Sequence, residues 1–318
     1  RTIGGFILKK AFLFPGQGSQ KVGMVADLYE KYDAVKALLK EADNRLGFSI
    51  SRMMFDGPDE ELMKTEFTQP AILTASVAVS TILREHGLTP DVVAGHSLGE
   101  YSALVTAGAL SFSDAIHVVH LRGKYMQEAV PLGEGGMAAI IALDAESIKD
   151  ICNTISTEEK PVQAVNFNCP GQVVIAGATE AVKQACNAMK EAGAKMAVML
   201  KVSAPFHSIM MEPAAVKLKE VLDTVTIQDA QMPVYANYNA AAEIKADDIR
   251  KNLVLQAAHP VLWDASIQQM IADGADLMIE AGPGTVLSGF MKRINRRIRT
   301  LHAEDVETVT NVLNTWEE

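Results

Sequence analysis

Residues 91–100 read Asp91-Val92-Val93-Ala94-Gly95-His96-Ser97-Leu98-Gly99-Glu100. The apolar run Val92–Ala94 is too short for a helix and stops at a glycine, so it reads as a short buried strand. From Glu100 to Ala109 the chain is rich in small residues at helical spacing. Strand, tight turn and helix in that order are the physical form of the G-x-S-x-G elbow, in which a serine is lifted above the sheet edge. Two glycines let the chain turn there without Cβ clashes. At a helix N-terminus, Ser97 meets free N–H groups and the positive end of the helix dipole, and the Leu98 amide is placed to hold an oxyanion. A serine that merely caps the helix between two turn glycines fits the same ten residues, so the pattern nominates a nucleophile without proving one.

Outward from the elbow, short apolar strands alternate with amphipathic helices, the signature of a parallel α/β sheet. Ala11 to Phe14 is a strand that ends at Pro15-Gly16. Helical spacing covers about 24–46 and 69–86, where Pro70 suits a first-turn position, and again Ser113 to Glu128. After the glycine-rich stretch 131–136 the order changes. Strand 137–143, helix 146–156, strands 162–167 and 172–176, helix 179–191 and strand 195–202 follow in a βαββαβ order, the ferredoxin-like arrangement. The expected architecture is therefore an α/β-hydrolase-like parallel sheet domain, residues 9–130 and 204–318, with an inserted ferredoxin-like domain at 131–203. Further strands of the large domain are expected at Met232–Tyr235 and Asp276–Ile279.

Composition narrows the function. With 29 basic and 39 acidic residues the net charge is −10, which opposes nucleic acid as the main partner, and 6% aromatic residues offer few stacking platforms. Cys152, Cys169 and Cys186 are odd in number and lack C-x-x-C spacing, which favours a reducing compartment over a disulfide framework or zinc site. No apolar run reaches the length of a membrane span. A cytoplasmic monomer that uses neither metal nor redox cofactor is the expectation.

A serine nucleophile needs a base. Seven histidines compete: His86, His96, His117, His120, His207, His259 and His302. His96 should point away from Ser97 and serve packing. His117 and His120 share a helix face, but no third ligand joins them in a metal motif. His207 follows the fixed Pro205-Phe206 pair in a loop after the inserted unit and is a plausible general base. No acid between Ser97 and His207 stands out as a triad member, so a Ser-His dyad with the imidazole oriented by a backbone carbonyl is expected. A serine esterase or thioesterase shares these features, and a non-catalytic docking module shares the fold.

Several segments together carry a resemblance: Phe14–Gln20 (FPGQGSQ), Gly95–Leu104 (GHSLGEYSAL), the Arg122 helix, Asn166–Gly177 (NFNCPGQVVIAG), Ser203–Ser208 (SAPFHS) and Ala281–Leu287 (AGPGTVL). Over nearly its whole length the chain resembles the malonyl-CoA:acyl carrier protein transacylases of bacterial type II fatty acid synthesis. That resemblance implies a malonyl group carried on Ser97 between coenzyme A and an acyl carrier protein, with His207 as base. It implies that the Gln256 main-chain carbonyl orients His207 and that the Gln17 amide completes the oxyanion hole with Leu98. Arg122 matches the arginine that grips the malonyl carboxylate; on residue type alone an internal salt bridge fits it as well. Asn166 is a weaker candidate for substrate contact. Phe206 matches the form that prefers malonyl over methyl-branched units. The glycine loop 14–18 lacks the P-loop lysine, so nucleotide binding is not expected there. An acidic carrier protein needs a local positive surface on a chain of charge −10, and Lys292, Arg293, Arg296, Arg297 and Arg299 form the densest basic run, a candidate docking patch.

Overall fold

The computed structural model of the chain describes residues 2–3, 6–202 and 204–318. Ser203, the first residue of the 203–208 motif and the last of the expected insert, lies outside them, as do residues 1, 4 and 5 of the opening segment. In chain order the strands are β1 (Thr2–Ile3), β2 (Phe6–Ile7), β3 (Lys10–Phe14), β4 (Val92–Gly95), β5 (Gly135–Ile141), β6 (Val162–Cys169), β7 (Gln172–Ala178), β8 (Met196–Met199), β9 (Val234–Tyr235), β10 (Ala242–Glu243), β11 (Leu277–Ala281) and β12 (Arg299–Ala303).

Two sheets dominate a mixed α/β fold. One is six-stranded, ordered β10-β9-β4-β3-β11-β12, parallel throughout except for the short edge strand β10. The other is four-stranded and antiparallel, ordered β6-β7-β5-β8. Strands β3 and β4 are apolar on both faces because helices cover both sides of a parallel sheet. Phe14 pairs with Gly95, so the two loops that follow these strands leave the same carboxyl edge side by side. Ligand sites of open parallel sheets sit at that edge.

Two of the expected helices run differently from the sequence expectation, and strand β12 (Arg299–Ala303) and the helices between Ile50 and Leu62 were not expected. The region 24–46 is two helices, Ala26–Lys31 and Asp33–Leu46, because Tyr32 between them is extended at φ −119°, ψ 120°. The helix expected at 69–86 spans Thr65–Glu85 and carries Pro70 in its interior rather than its first turn. Proline there has no N–H for the Glu66 carbonyl one turn earlier. That carbonyl accepts instead from the His120 ring at 3.0 Å, which accounts for His120 structurally.

The small sheet packs two helices, Ala145–Ile155 and Thr179–Glu191, on one face and has its own apolar core around Ile140, Ile148, Ile175 and Val182. Its other face joins the core of the large unit through Met137, Val165, Val174 and Ala176. Backbone bonds from Val261 N to Val165 O (2.7 Å) and from Phe167 N to Val261 O (3.0 Å) pin β6 to the large unit beside the elbow. Among the described residues no helix is long and apolar enough to cross a membrane.

Candidate active site

The elbow is built by close approach more than by glycine flexibility. A Cβ on Gly95 would lie 1.8 Å from the Gly99 carbonyl oxygen, and one on Gly99 would lie 2.1 Å from that of Phe14. Neither glycine has a positive φ; the left-handed residue is Ser97 itself, at φ 52°. His207 is left-handed too, at φ 63°. Such conformations are unfavourable for residues with a Cβ and persist only where the surroundings over-determine them. Here Asn237 does so for the elbow: its Oδ1 accepts from Ser97 N at 2.7 Å, and its Nδ2 donates to the Gly95 carbonyl at 2.7 Å.

Ser97 Oγ lies 2.7 Å from His207 Nε2. His207 Nδ1 lies 2.8 Å from the Gln256 carbonyl. A carbonyl only accepts, so Nδ1 carries the proton, Nε2 is bare, and the Ser97 hydroxyl donates to it. Burial above all, and then the neighbouring Arg122 charge, push the His207 imidazole down to about 3, so it is neutral and proton-accepting at pH 7. The dyad predicted from the sequence is thus assembled, with a carbonyl where a triad would place an acid.

Arg122, on the Phe112–Glu128 helix, is 1% exposed. Its Nη1 donates to Gln69 Oε1 at 2.7 Å, and its Nη2 donates to Gln256 Oε1 at 2.9 Å and to Ser97 Oγ at 3.3 Å. The Nε–H has no acceptor. Among the described residues no carboxylate lies within ion-pair range of this guanidinium, so the internal salt bridge is not formed. The guanidinium carbon also lies 5.5 Å from the Tyr101 ring centroid, so the buried cation rests among amides, a hydroxyl and an aromatic ring, with its charge unmatched by a carboxylate in ion-pair range among the described residues.

One cleft of ≈ 120 Å³ brings together Gln17, Ser97, Leu98, Arg122, Asn166, Phe206 and His207. The amides of Gln17 and Leu98 donate to no other backbone group among the described residues. Asn166 Oδ1 is buried and without a partner. His96 borders the same cleft but makes no hydrogen bond to Ser97 among the described residues; its Nε2 lies 2.7 Å from Asn168 Oδ1 and its ring centroid 5.4 Å from that of Trp263. Gln256 stands behind the cleft, fully buried. Among the described residues no cluster of three or more metal-ligating side chains occurs.

Sequence reading missed Gln69, Asn237 and Glu100. Glu100 is fully buried in the first turn after the elbow, where Oε2 accepts from Gln256 Nε2 at 2.7 Å and from Asn237 N at 3.3 Å. An acid inside an otherwise small and apolar helix was the available signal. Gln69 and Asn237 gave none, because neutral amides on distant segments carry no spacing pattern. In the basic run, Lys292, Arg293, Arg296 and Arg297 are exposed and, among the described residues, form no ion pair. Arg299 differs: its guanidinium caps the carbonyls of Thr315 and Trp316 at the end of the last helix and is structural.

The family model described as an acyl transferase domain matches residues 11–316. The chain is 51% identical over 310 residues to the malonyl CoA-acyl carrier protein transacylase of Bacillus subtilis (strain 168), covering 98% of each protein. It is 50% identical over 285 residues to that of Escherichia coli (strain K12), covering 89% of this chain and 92% of the other. Among solved structures, the transacylase from Coxiella burnetii superposes with a TM-score of 0.94 at 40% identity, over 96% of this chain and 97% of that one. A malonyl-transacylase solved in complex with a type II PKS acyl-carrier protein also superposes at 0.94, at 46% identity, over 96% and 99%.

Proposed function

From the premise that the chain belongs to the acyl transferase family, we propose that it moves a malonyl group from coenzyme A to the phosphopantetheine thiol of an acyl carrier protein, through an ester on Ser97. The observation that carries this reading is Arg122, a buried guanidinium with no carboxylate in range and 3.3 Å from the nucleophilic oxygen. An acyl group ending in a carboxylate gives the buried charge the anionic partner it lacks, on the side where Nη2 faces Ser97, and acetyl does not.

The chemistry follows from the dyad. His207 Nε2 takes the Ser97 proton as Oγ attacks the thioester carbonyl, and the carbonyl electrons become an oxyanion held by the amides of Leu98 and Gln17. When the intermediate collapses, the coenzyme A sulfur leaves with the proton from Nε2. In the second half the carrier thiol gives its proton to Nε2 and attacks the ester, and Ser97 leaves and is reprotonated. Gln256 keeps the imidazole in the productive tautomer through its main-chain oxygen. Asn166 Oδ1, buried at the cleft wall, suits an N–H of the pantetheine arm. Phe206, in the same cleft, leaves little room for an α-methyl group and favours malonyl over methylmalonyl by about 1–3 kcal/mol. No step calls for a metal or redox cofactor.

The carrier protein docks near Lys292, Arg293, Arg296 and Arg297. The helix that carries the first two, Val286–Ile294, also packs Phe290 6.4 Å from the His96 ring, so the patch adjoins the active-site rim. In architecture the reading is an α/β-hydrolase-like domain, 9–130 with 204–318, and a ferredoxin-like insert, 131–203. The separate core of the small sheet and its β6-β7-β5-β8 order support this division.

Intact-mass measurement after mixing with malonyl-CoA tests the proposal. A malonyl adduct is expected on the wild type and none on Ser97→Ala. The adduct should persist until a carrier thiol is added. Rapid release of free malonate without a thiol acceptor would instead favour the esterase reading.

A further inference from the structure

The Glu100 backbone N–H donates to the Ser97 carbonyl at 3.1 Å as part of the helix start, while its side chain lies outside the cleft and joins segments that hold the site. Its Oε2 collects the Gln256 side-chain amide at 2.7 Å and the Asn237 backbone N–H at 3.3 Å. Gln256 in turn presents Oε1 to Arg122 at 2.9 Å and its main-chain oxygen to His207 at 2.8 Å. A carboxamide has one accepting and one donating end. The end that meets a guanidinium must be the oxygen, and the NH₂ then needs acceptors on its far side. Glu100 Oε2 is the shortest of the three acceptors that Nε2 finds, against 2.9 Å for Ser97 O and 3.2 Å for Asn237 Oδ1.

We propose that Glu100 is a positioning residue that sets selectivity for a carboxylated acyl group, by holding the Gln256 carboxamide in the orientation that aims Arg122 at the substrate. The inference rests on the reading of Arg122 as the carboxylate receptor. The Arg122–Gln256–Glu100 chain also places an ionisable group two hydrogen bonds from the receptor cation. Arg122 from its helix, Glu243 from β10, and Tyr101 beside it are the charged or titratable groups that face Glu100. Burial first, and then Glu243, push the Glu100 carboxyl up to about 8. Ionisation above that point adds negative charge beside the receptor and opposes the incoming carboxylate.

The test has two arms, both on the full chain, with malonyl-CoA and acetyl-CoA as paired substrates. Glu100→Ala removes the acceptor, and kcat/KM for malonyl-CoA should fall at least about tenfold more than for acetyl-CoA, mostly through KM, as expected when a binding group is mis-aimed. Glu100→Gln keeps an acceptor oxygen but cannot ionise. The wild type should lose malonyl affinity as pH rises through about 8, with acetyl affinity level, and Glu100→Gln should keep the neutral-pH selectivity while losing that pH dependence. Should Glu100→Ala fail to fold, the Gln arm decides alone. Equal losses on both substrates, a wild-type malonyl KM that is flat through this range, or a Gln variant that keeps the pH dependence each overturn the proposal. Arg122→Ala run in parallel separates the two levels: if it retains malonyl preference, the receptor reading itself fails, and if it loses that preference while Glu100→Ala keeps it, the positioning role alone fails.

Discussion

Replacing Arg122 with methionine separates binding chemistry from fold stability. Methionine has similar length and no charge, so the site keeps its packing while the receptor for the carboxylate disappears. The guanidinium turns Nη2 toward the nucleophile, and its planar fork can give a bound carboxylate two parallel charge-assisted bonds. At about 1.5–3 kcal/mol each, these amount to roughly 3–6 kcal/mol, or about 10²–10⁴ in kcat/KM for malonyl-CoA at 1.4 kcal/mol per decade. Acetyl-CoA makes neither bond and should escape that loss, so the malonyl-to-acetyl ratio collapses. On the stability side, Gln69 Oε1 and Gln256 Oε1 each lose a donor, about 1–3 kcal/mol apiece. Removing a buried guanidinium that has no carboxylate in range offsets much of this. A urea melt within about 2 kcal/mol of wild type is expected. Steady-state kinetics with both thioesters, beside the melts, decide the matter. A malonyl-to-acetyl ratio that survives, or a parallel fall in both substrates tracking lost stability, would show that Arg122 serves the fold alone.

The base gives a pH prediction. Since burial and Arg122 hold His207 at about 3, kcat/KM for acetyl-CoA should stay level as pH falls well below the ordinary histidine value near 6.5, and an inflection near that value refutes the assignment. The sign for stability follows: the unfolded chain binds this proton first, so the contribution is complete above about 6.5 and fades at up to about 1.4 kcal/mol per pH unit as pH falls toward the folded value, a slope His207→Gln should reduce. Ser97→Gly and Ser97→Ala both lose the hydroxyl, but only glycine relieves the left-handed backbone, so the glycine variant should be the more stable by about 1 kcal/mol in paired thermal melts. Equal stabilities would mean the turn is unstrained. Charge reversal at Arg296 and Arg297 should raise KM for the carrier protein, more at low salt, without altering Ser97 acylation by malonyl-CoA; unchanged carrier kinetics remove the docking patch.

Much of the fold was legible because the sheet is parallel and buried. Strands such as Val92–Ala94 must be apolar on both faces, and a glycine-flanked serine after one of them has few structural explanations. Ser97 and Leu98, adjacent in the chain, were read directly for the same local reason. The family resemblance singled out His207 among seven histidines and added Arg122, Gln17 and Gln256, which spacing alone left open. Helix interruptions escaped. Pro70 could sit inside its helix only because His120, 50 positions away in the chain, supplied a donor for the freed Glu66 carbonyl.

Tertiary structure alone decided the network behind the nucleophile. Gln69, Glu100, Asn237 and Gln256 come from four separate segments, and hydrogen bonds between neutral amides and a buried acid leave no periodic trace in sequence. Their partners are fixed by how sheet and helices meet, so only the fold could place Arg122 among amides rather than carboxylates. The sequence determined which chemistry-bearing residues existed and which strand ends would present them. The packed structure determined their charge states, because desolvation and neighbouring charges depend on what surrounds a group in space and not on what precedes it in the chain.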